Sequence, residues 1–387
     1  MTITAVQGAP PPHPHEDSER HSRIKALRAA MATRGLVAVA LTSPENVYYL
    51  LGLDHLGYFA FTMLVLPAEG DPVLVTREME RTTVLAQVPE VRHVTFADGE
   101  DPACAASRAL RHVAPDGGTV GIEGRGSFLP PAVLDGLRAV LPALAWEDCT
   151  GLLASARAVQ SATETGCARR AAVVSDAAMQ AGIAAARPGV AERDVAAATY
   201  HAMISAGGEA PGFVPLIRPV AMLGQEHVTW GDRHLHAGHG LFLELSGCVR
   251  RYHAPLSRTV YPGYAPPEAV EAAESALAGL AAARTALRPG ARTGEVFAAW
   301  QRAVGGMPRR HHCGYLVGIG YPPSWVGGPE VLGIRPGGDV EVVAGMVFHL
   351  MSWVERPVGH VVSDTALVTE DGCELLTTVS RELTVVA

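Results

Sequence analysis

Lysine is all but absent from this chain. Of its 31 basic residues only Lys25 is a lysine, and it lies in an amphipathic stretch near the N-terminus. Schiff-base chemistry needs an active-site amine and is disfavoured on that ground. No GK[ST] occurs, which removes a phosphate-cradling P-loop. The six cysteines (Cys104, Cys149, Cys167, Cys248, Cys313, Cys373) form no CxxC pair. Neither a zinc knuckle nor a disulfide framework is expected, and a reducing, cytoplasmic setting is the simplest expectation. No apolar run approaches the roughly 20 residues that span a bilayer, so no membrane association is expected. A net charge of −8 lacks the positive excess of a nucleic-acid surface.

What is present reads as a globular protein. The chain has 387 residues, of which 48% are hydrophobic and 18% charged, enough for two or three domains. Residues 1–20 carry Pro10, Pro11, Pro12 and Pro14 without an apolar core, and read as a disordered tail and not as a secretion signal. From 21 to 154 helical and strand-like stretches alternate. Ile24, Leu27, Ala30 and Met31 have helical spacing, whereas Leu36 to Leu41, Phe61 to Leu66 and Val73 to Val75 read as buried strands. An α/β domain follows. From 155 to 387 an Ala-rich helix over about Glu164 to Ala186 opens a second domain. There Arg187-Pro188-Gly189 is echoed by Arg288-Pro289-Gly290, about 100 residues on. Each copy follows an Ala-rich helix, breaks at Pro-Gly and leads to a second helix and then strands. The echo predicts a duplicated αα-plus-sheet architecture.

Leu241 to Arg250 and Tyr252 to Tyr261 read as the two strands of a hairpin. Alternation places Phe242, Glu244 and Ser246 on one face, and His253, Pro255, Ser257 and Thr259 together on the other strand. Met346 to Met351 is a further strand, with Val347, His349 and Met351 sharing a face. Cys313 reads as a buried small thiol. His311 and His312, adjacent on a strand, would point opposite ways and cannot both face one metal.

Several phrases resemble the creatinase and methionine-aminopeptidase family, whose fold is called pita-bread. "PENVYYLLG" (44–52) resembles a turn of the creatinase-type N-terminal domain, "ARAVQSATET" the linker that opens the catalytic domain, and "HVVSDTALVTEDG" (360–372) the closing strand. The resemblance covers nearly all of residues 21 to 387. It implies an α/β (α+β) protein: a creatinase-type α/β domain, then a pita-bread catalytic domain of two pseudo-two-fold related halves. Metallopeptidases of this family hold two metal ions with two Asp, one His and two Glu. At those positions this chain has Glu244, Pro255, Tyr315, Met351 and Ser363. Proline offers no side-chain donor, and methionine is too soft for a carboxylate-rich site. No metal and no other cofactor are expected.

Within the family, "LELSGCVRRYHAPLSRT", "GYLVGIGYPPSW" and "GMVFHL" are most similar to the metal-free branch that contains ectoine hydrolase. The creatinase pattern is not kept, since its positions are Tyr315, Ser257 and Ser363. The resemblance implies a metal-independent hydrolase of a C–N or C=N bond in a small polar compound, such as a cyclic amidine or guanidino compound. The alternatives are a lyase, cyclase or isomerase built on the same fold, or a non-catalytic ligand-binding pseudopeptidase. Glu244 would hold a cationic nitrogen or act as an acid, and His253 or His349 would move a proton. His227 in "EHVTWGDR" and Tyr315 would donate hydrogen bonds to a developing oxyanion. Ser257, Met351, Ser363, Trp353 and Phe61 would contact substrate, with Trp325 and Trp353 in loops walling the ligand. Asp364 and Arg258 should point away from the pocket. The resemblance also implies a homodimer whose small domain covers the neighbour's pocket through Tyr58, Phe59 and Phe61; an arginine, of this chain or of the partner's N-terminal domain, would hold a substrate carboxylate in two-bond geometry.

Overall fold

The computed structural model describes residues 17–114, 116–305, 310–327 and 331–387. Most of the tail expected to lack structure, residues 1–16, lies outside that set. Its last residues do not continue it: Asp17 opens a helix that runs to Thr33. The described residues form two compact units that divide between Arg157 and Ala158.

The N-terminal unit is built on a six-stranded mixed sheet. Its strands are β1 (Leu36–Leu41), β2 (Met63–Pro67), β3 (Val73–Arg77), β4 (Arg92–Phe96), β5 (Gly118–Ile122) and β6 (Leu144–Asp148), in the spatial order β4-β3-β2-β1-β5-β6. The segment compared above with a turn, 44–52, is a buried helix, Pro44–Leu51, ended by Gly52 at φ 79°. Its start is held by the buried Glu123, which accepts from the backbone N–H groups of Thr42 and Ser43. This carboxylate satisfies amides that a helix N-terminus leaves without partners. Phe61 precedes β2 and packs on Phe96 inside this unit's core, ring centroids 6.4 Å apart. The expectation that Phe61 contacts substrate is therefore corrected: hydrophobic burial uses its ring. Tyr58 is buried against Phe128, and of the three aromatics named as a cover only Phe59 is exposed, at 78%.

The C-terminal unit shows the duplication outright. Helices Ala162–Ala185 and Glu192–Ser205 lead to β7 (Leu216–Pro219), β8 (Leu241–Val249) and β9 (Tyr252–Pro262). Helices Pro267–Ala286 and Thr293–Ala303 lead to β10 (Gly314–Leu316), β11 (Val347–Val354) and β12 (His360–Thr369), followed by β13 (Gly372–Leu375) and β14 (Thr384–Val386). The sheet order β10-β11-β12-β9-β8-β7 places the halves about a line between β12 and β9. Gly189 and Gly290 sit at φ 84° and 81°, so the two Pro-Gly phrases make the same left-handed turn between paired helices. The long helix of each half covers one face of the sheet, Ala162–Ala185 on β8 and β9 and Pro267–Ala286 on β11 and β12. The other face is left for the site.

At the midline β9 and β12 meet at Ser257 and Ser363. On the helix-covered face Arg258 clamps this seam: it donates to the carbonyls of Ser257 and Ser363 and pairs with Asp364 at 2.9 Å. Asp364 points away from the site as expected, yet it is fully buried, with Arg258, Arg381 and Thr377 as partners. No helix among the described residues is long and apolar enough to cross a membrane.

Candidate active site

Residues opposed in an antiparallel pair share a face, and the face recurs every second residue. Register therefore assembles the site. Glu244 on β8 faces Leu216 on β7 and Ser257 on β9. Ser257 faces Ser363, Ser363 faces Met351 on β11, and His349 faces Tyr315 on β10. The β8–β9 hairpin turns through Arg250 and Arg251, both left-handed at φ 51° and 64°. Such a two-residue turn fixes the register, and so fixes Glu244 opposite Ser257.

One hydrogen-bonded row crosses this face. The indole Nε1 of Trp325 donates to the Tyr315 hydroxyl at 3.0 Å. That hydroxyl lies 2.9 Å from His349 Nδ1, and His349 Nε2 lies 2.7 Å from the Ser363 hydroxyl. Ser363 in turn lies 2.7 Å from the Ser257 hydroxyl. His349 is fully buried, and burial lowers its pKa to about 3, with His312 adding to the effect. The imidazole is neutral, with both nitrogens used. Burial, then the nearby Glu244, raises the Tyr315 pKa, so the phenol keeps its proton.

Glu244 stands beside this row without joining it. Its carboxylate is 3.9 Å from His349 Nδ1, and no arginine among the described residues comes within ion-pairing distance. Burial raises its pKa to about 7, against the opposing pull of Arg218 and Arg310. A carboxyl poised near neutrality can both take and return a proton. The same pocket is lined by Met351, Trp353, His227, His312, Arg218 and Arg310. His227 is exposed and stacks on Phe213, ring centroids 5.9 Å apart.

His253 does not belong with these groups. It keeps the face that alternation gives it, opposite Cys248, but lies at the hairpin end of β9. Its Nε2 accepts from the Gly212 backbone N–H and its Nδ1 lies on the Arg251 carbonyl, both at 2.9 Å. Burial lowers its pKa to about 4. Both nitrogens are spent on the backbone, and the expected proton-transfer role is corrected to a structural one. Trp353 lies within β11 and not in a loop. His311 and His312 precede β10 instead of lying on a strand, their rings edge-on at 4.4 Å, and His312 does face the pocket. Burial raises the pKa of the Cys313 thiol, which stays protonated.

Sequence reasoning missed both arginines of the pocket. Arg218 on β7 shares the face of Leu216 and Glu244, and its guanidinium lies over Phe242 at 4.6 Å from the ring centre. Arg310 bonds Glu226 at 2.6 Å and lies over Trp353 at 3.9 Å. The one available signal was an arginine inside the apolar strand "PLIRPV".

The residues at the five family metal positions do not fit a metal pair. Glu244 is the single carboxylate, Tyr315 and Ser363 are bound to His349, and Met351 and Pro255 supply no hard donor. Among the described residues no group of three or more His, Cys, Asp or Glu is placed to hold a metal ion.

Comparison with known proteins adds the following. The model of metallopeptidase family M24 matches residues 166–370, and that of the creatinase/prolidase N-terminal domain matches 23–159. An ectoine hydrolase of Halomonas elongata is 29% identical, over 96% of this chain and 98% of its own length. An uncharacterised hydrolase/peptidase of Sinorhizobium fredii is 30% identical, over 95% of this chain and 98% of its own. The crystal structure of dipeptidase PepE from Mycobacterium ulcerans superposes with a TM-score of 0.79 at 25% identity, covering 95% of this chain and 98% of that one.

Proposed function

The chain belongs to metallopeptidase family M24, and we propose that within it this protein is a metal-independent hydrolase of a C–N or C=N bond in a small polar compound. One observation carries the reading. At the five positions where family members bind metal, this chain retains one carboxyl, Glu244, buried and titrating near pH 7 beside a Tyr–His–Ser row. Similarity to an ectoine hydrolase supports the substrate class.

In this reading ionised Glu244 takes a proton from water as the water oxygen bonds the electrophilic carbon. Tyr315 accepts from Trp325 and from His349 Nδ1–H, which leaves its own proton to donate to the charge that develops. His349 is a positioning residue, its tautomer set by Ser363 at Nε2. The protonated Glu244 then returns the proton to the leaving nitrogen as the C–N bond breaks. His227, at the exposed side of the pocket, contacts the substrate.

Incubation with ectoine, creatine and Xaa-Pro dipeptides in the presence of a chelator, followed by mass spectrometry, tests this. Products whose masses sum to substrate plus one water (a single heavier product where a ring is opened), formed by the wild type and not by Glu244→Gln, are expected. Turnover that stops with chelator and returns with manganese would refute metal independence. A product of unchanged mass, or one lighter by one water, would refute hydrolysis in favour of an isomerase or a cyclase.

A further inference from the structure

Arg218 is fully buried, yet no carboxylate among the described residues comes within ion-pairing distance of it. Its Nη1 makes one long bond, 3.3 Å to the Val228 carbonyl, and its Nε has no partner among the described residues. A buried cation without a counter-charge is costly unless something else supplies the charge. The surroundings repeat the pattern. Arg310 spends Nη1 on Glu226 but leaves Nε without a partner among the described residues. The Trp353 indole beneath it is buried, and its Nε1 also has no acceptor. All three side chains line the pocket that holds Glu244. Arg218 faces Phe242, two register pairs along from Leu216–Glu244, so the two side chains are diagonal neighbours on one face.

We infer that Arg218, Arg310 and the indole of Trp353 form a carboxylate subsite, so that the pocket takes an acid or zwitterion whose reacting carbon lies against Glu244. Unmet donors from two guanidinium groups and an indole ask for a planar acceptor, and guanidinium matches a carboxylate in two-bond geometry. Glu244, left unpaired by both arginines, stays available for proton transfer. The subsite deepens the function proposed above and rests on this pocket being the substrate site. It takes the expected carboxylate-holding arginine from this same chain.

Thermal melting of the full chain tests it without any turnover. The probes are sodium acetate, acetamide and inorganic phosphate, each against sodium chloride at equal ionic strength. At ten times its Kd acetate should raise the wild-type Tm by about 2 °C, acetamide should leave it unchanged, and phosphate should act more weakly than acetate. Arg218→Met and Arg310→Met should each lose the acetate shift, and Arg218→Met should melt no lower than wild type. Equal effects of acetate and acetamide, or a shift that survives both substitutions, would overturn the subsite; a larger effect of phosphate would overturn its carboxylate preference. The wild-type comparison and Arg310→Met decide the matter even if Arg218→Met does not fold. Failure of the hydrolase reading shows separately, as absence of turnover with the acetate shift intact.

Discussion

Glu244 and His349 approach to 3.9 Å and do not pair. The imidazole nitrogen nearest the carboxylate is 2.9 Å from the Tyr315 hydroxyl instead. That preference leaves a neutral histidine and a carboxyl with no counter-ion within ion-pairing distance among the described residues, and burial then sets the carboxyl's pKa near 7. The chemistry proposed for the pocket follows from this separation.

The rate should follow the ionisation of Glu244. As a base it must be deprotonated, so kcat/KM should rise as pH passes through about 7. Glu244→Gln should lower it by about 10²- to 10⁴-fold and remove that limb of the profile. A pH profile without an acid limb near neutrality would exclude the assignment.

Stability should carry the same signature with the opposite trend. The folded chain holds a proton on Glu244 that the unfolded chain releases near the ordinary 4.5. Between pH 4.5 and 7 the native state binds more protons than the unfolded one, so stability falls as pH rises across this window, by on the order of 3 kcal/mol. Glu244→Gln should flatten this part of the curve. Denaturant melts of the two proteins at pH 5.5 and pH 8 measure the difference.

Tyr315→Phe should cost both activity and stability. The Trp325 indole and His349 Nδ1 would lose their buried partner, at about 1–3 kcal/mol. The lost donor to the transition state should lower kcat by about 10²-fold or more with little change in KM. A loss of stability with unchanged kcat would confine Tyr315 to filling the place of a metal ligand.

His253 and His227 should separate cleanly. His253→Ala takes the acceptor from the buried Gly212 amide, while the Arg251 carbonyl keeps the Gly320 N–H, and should cost about 1–3 kcal/mol. His227→Ala changes an exposed ring stacked on Phe213. It should leave Tm within about 1 °C and raise KM several-fold. Melting curves and kinetics of the pair check both statements.

Much of this was legible in the chain because it depends on local order. Period two along β8, β9 and β11 gave the shared faces of Glu244, Ser257, His349 and Met351, and the repeated Pro-Gly phrase gave the duplicated architecture. Alternation says which face a side chain takes and nothing about what covers it. It therefore could not show that loops around Gly212 enclose His253. Phe61 falls outside its strand, where only tertiary packing against Phe96 decides its place. Arg218 was hidden because a charged residue in a short apolar strand acquires meaning only from its neighbours across the sheet.

The central claim is that this pocket transfers protons without bound metal, and calorimetric titration of the purified, chelator-treated chain with manganese(II), cobalt(II) and zinc(II) tests it most directly. The donor set at Glu244, Pro255, Tyr315, Met351 and Ser363 predicts no saturable binding that Glu244→Gln removes. Two ions bound per chain at micromolar affinity, both lost in Glu244→Gln, would contradict the account.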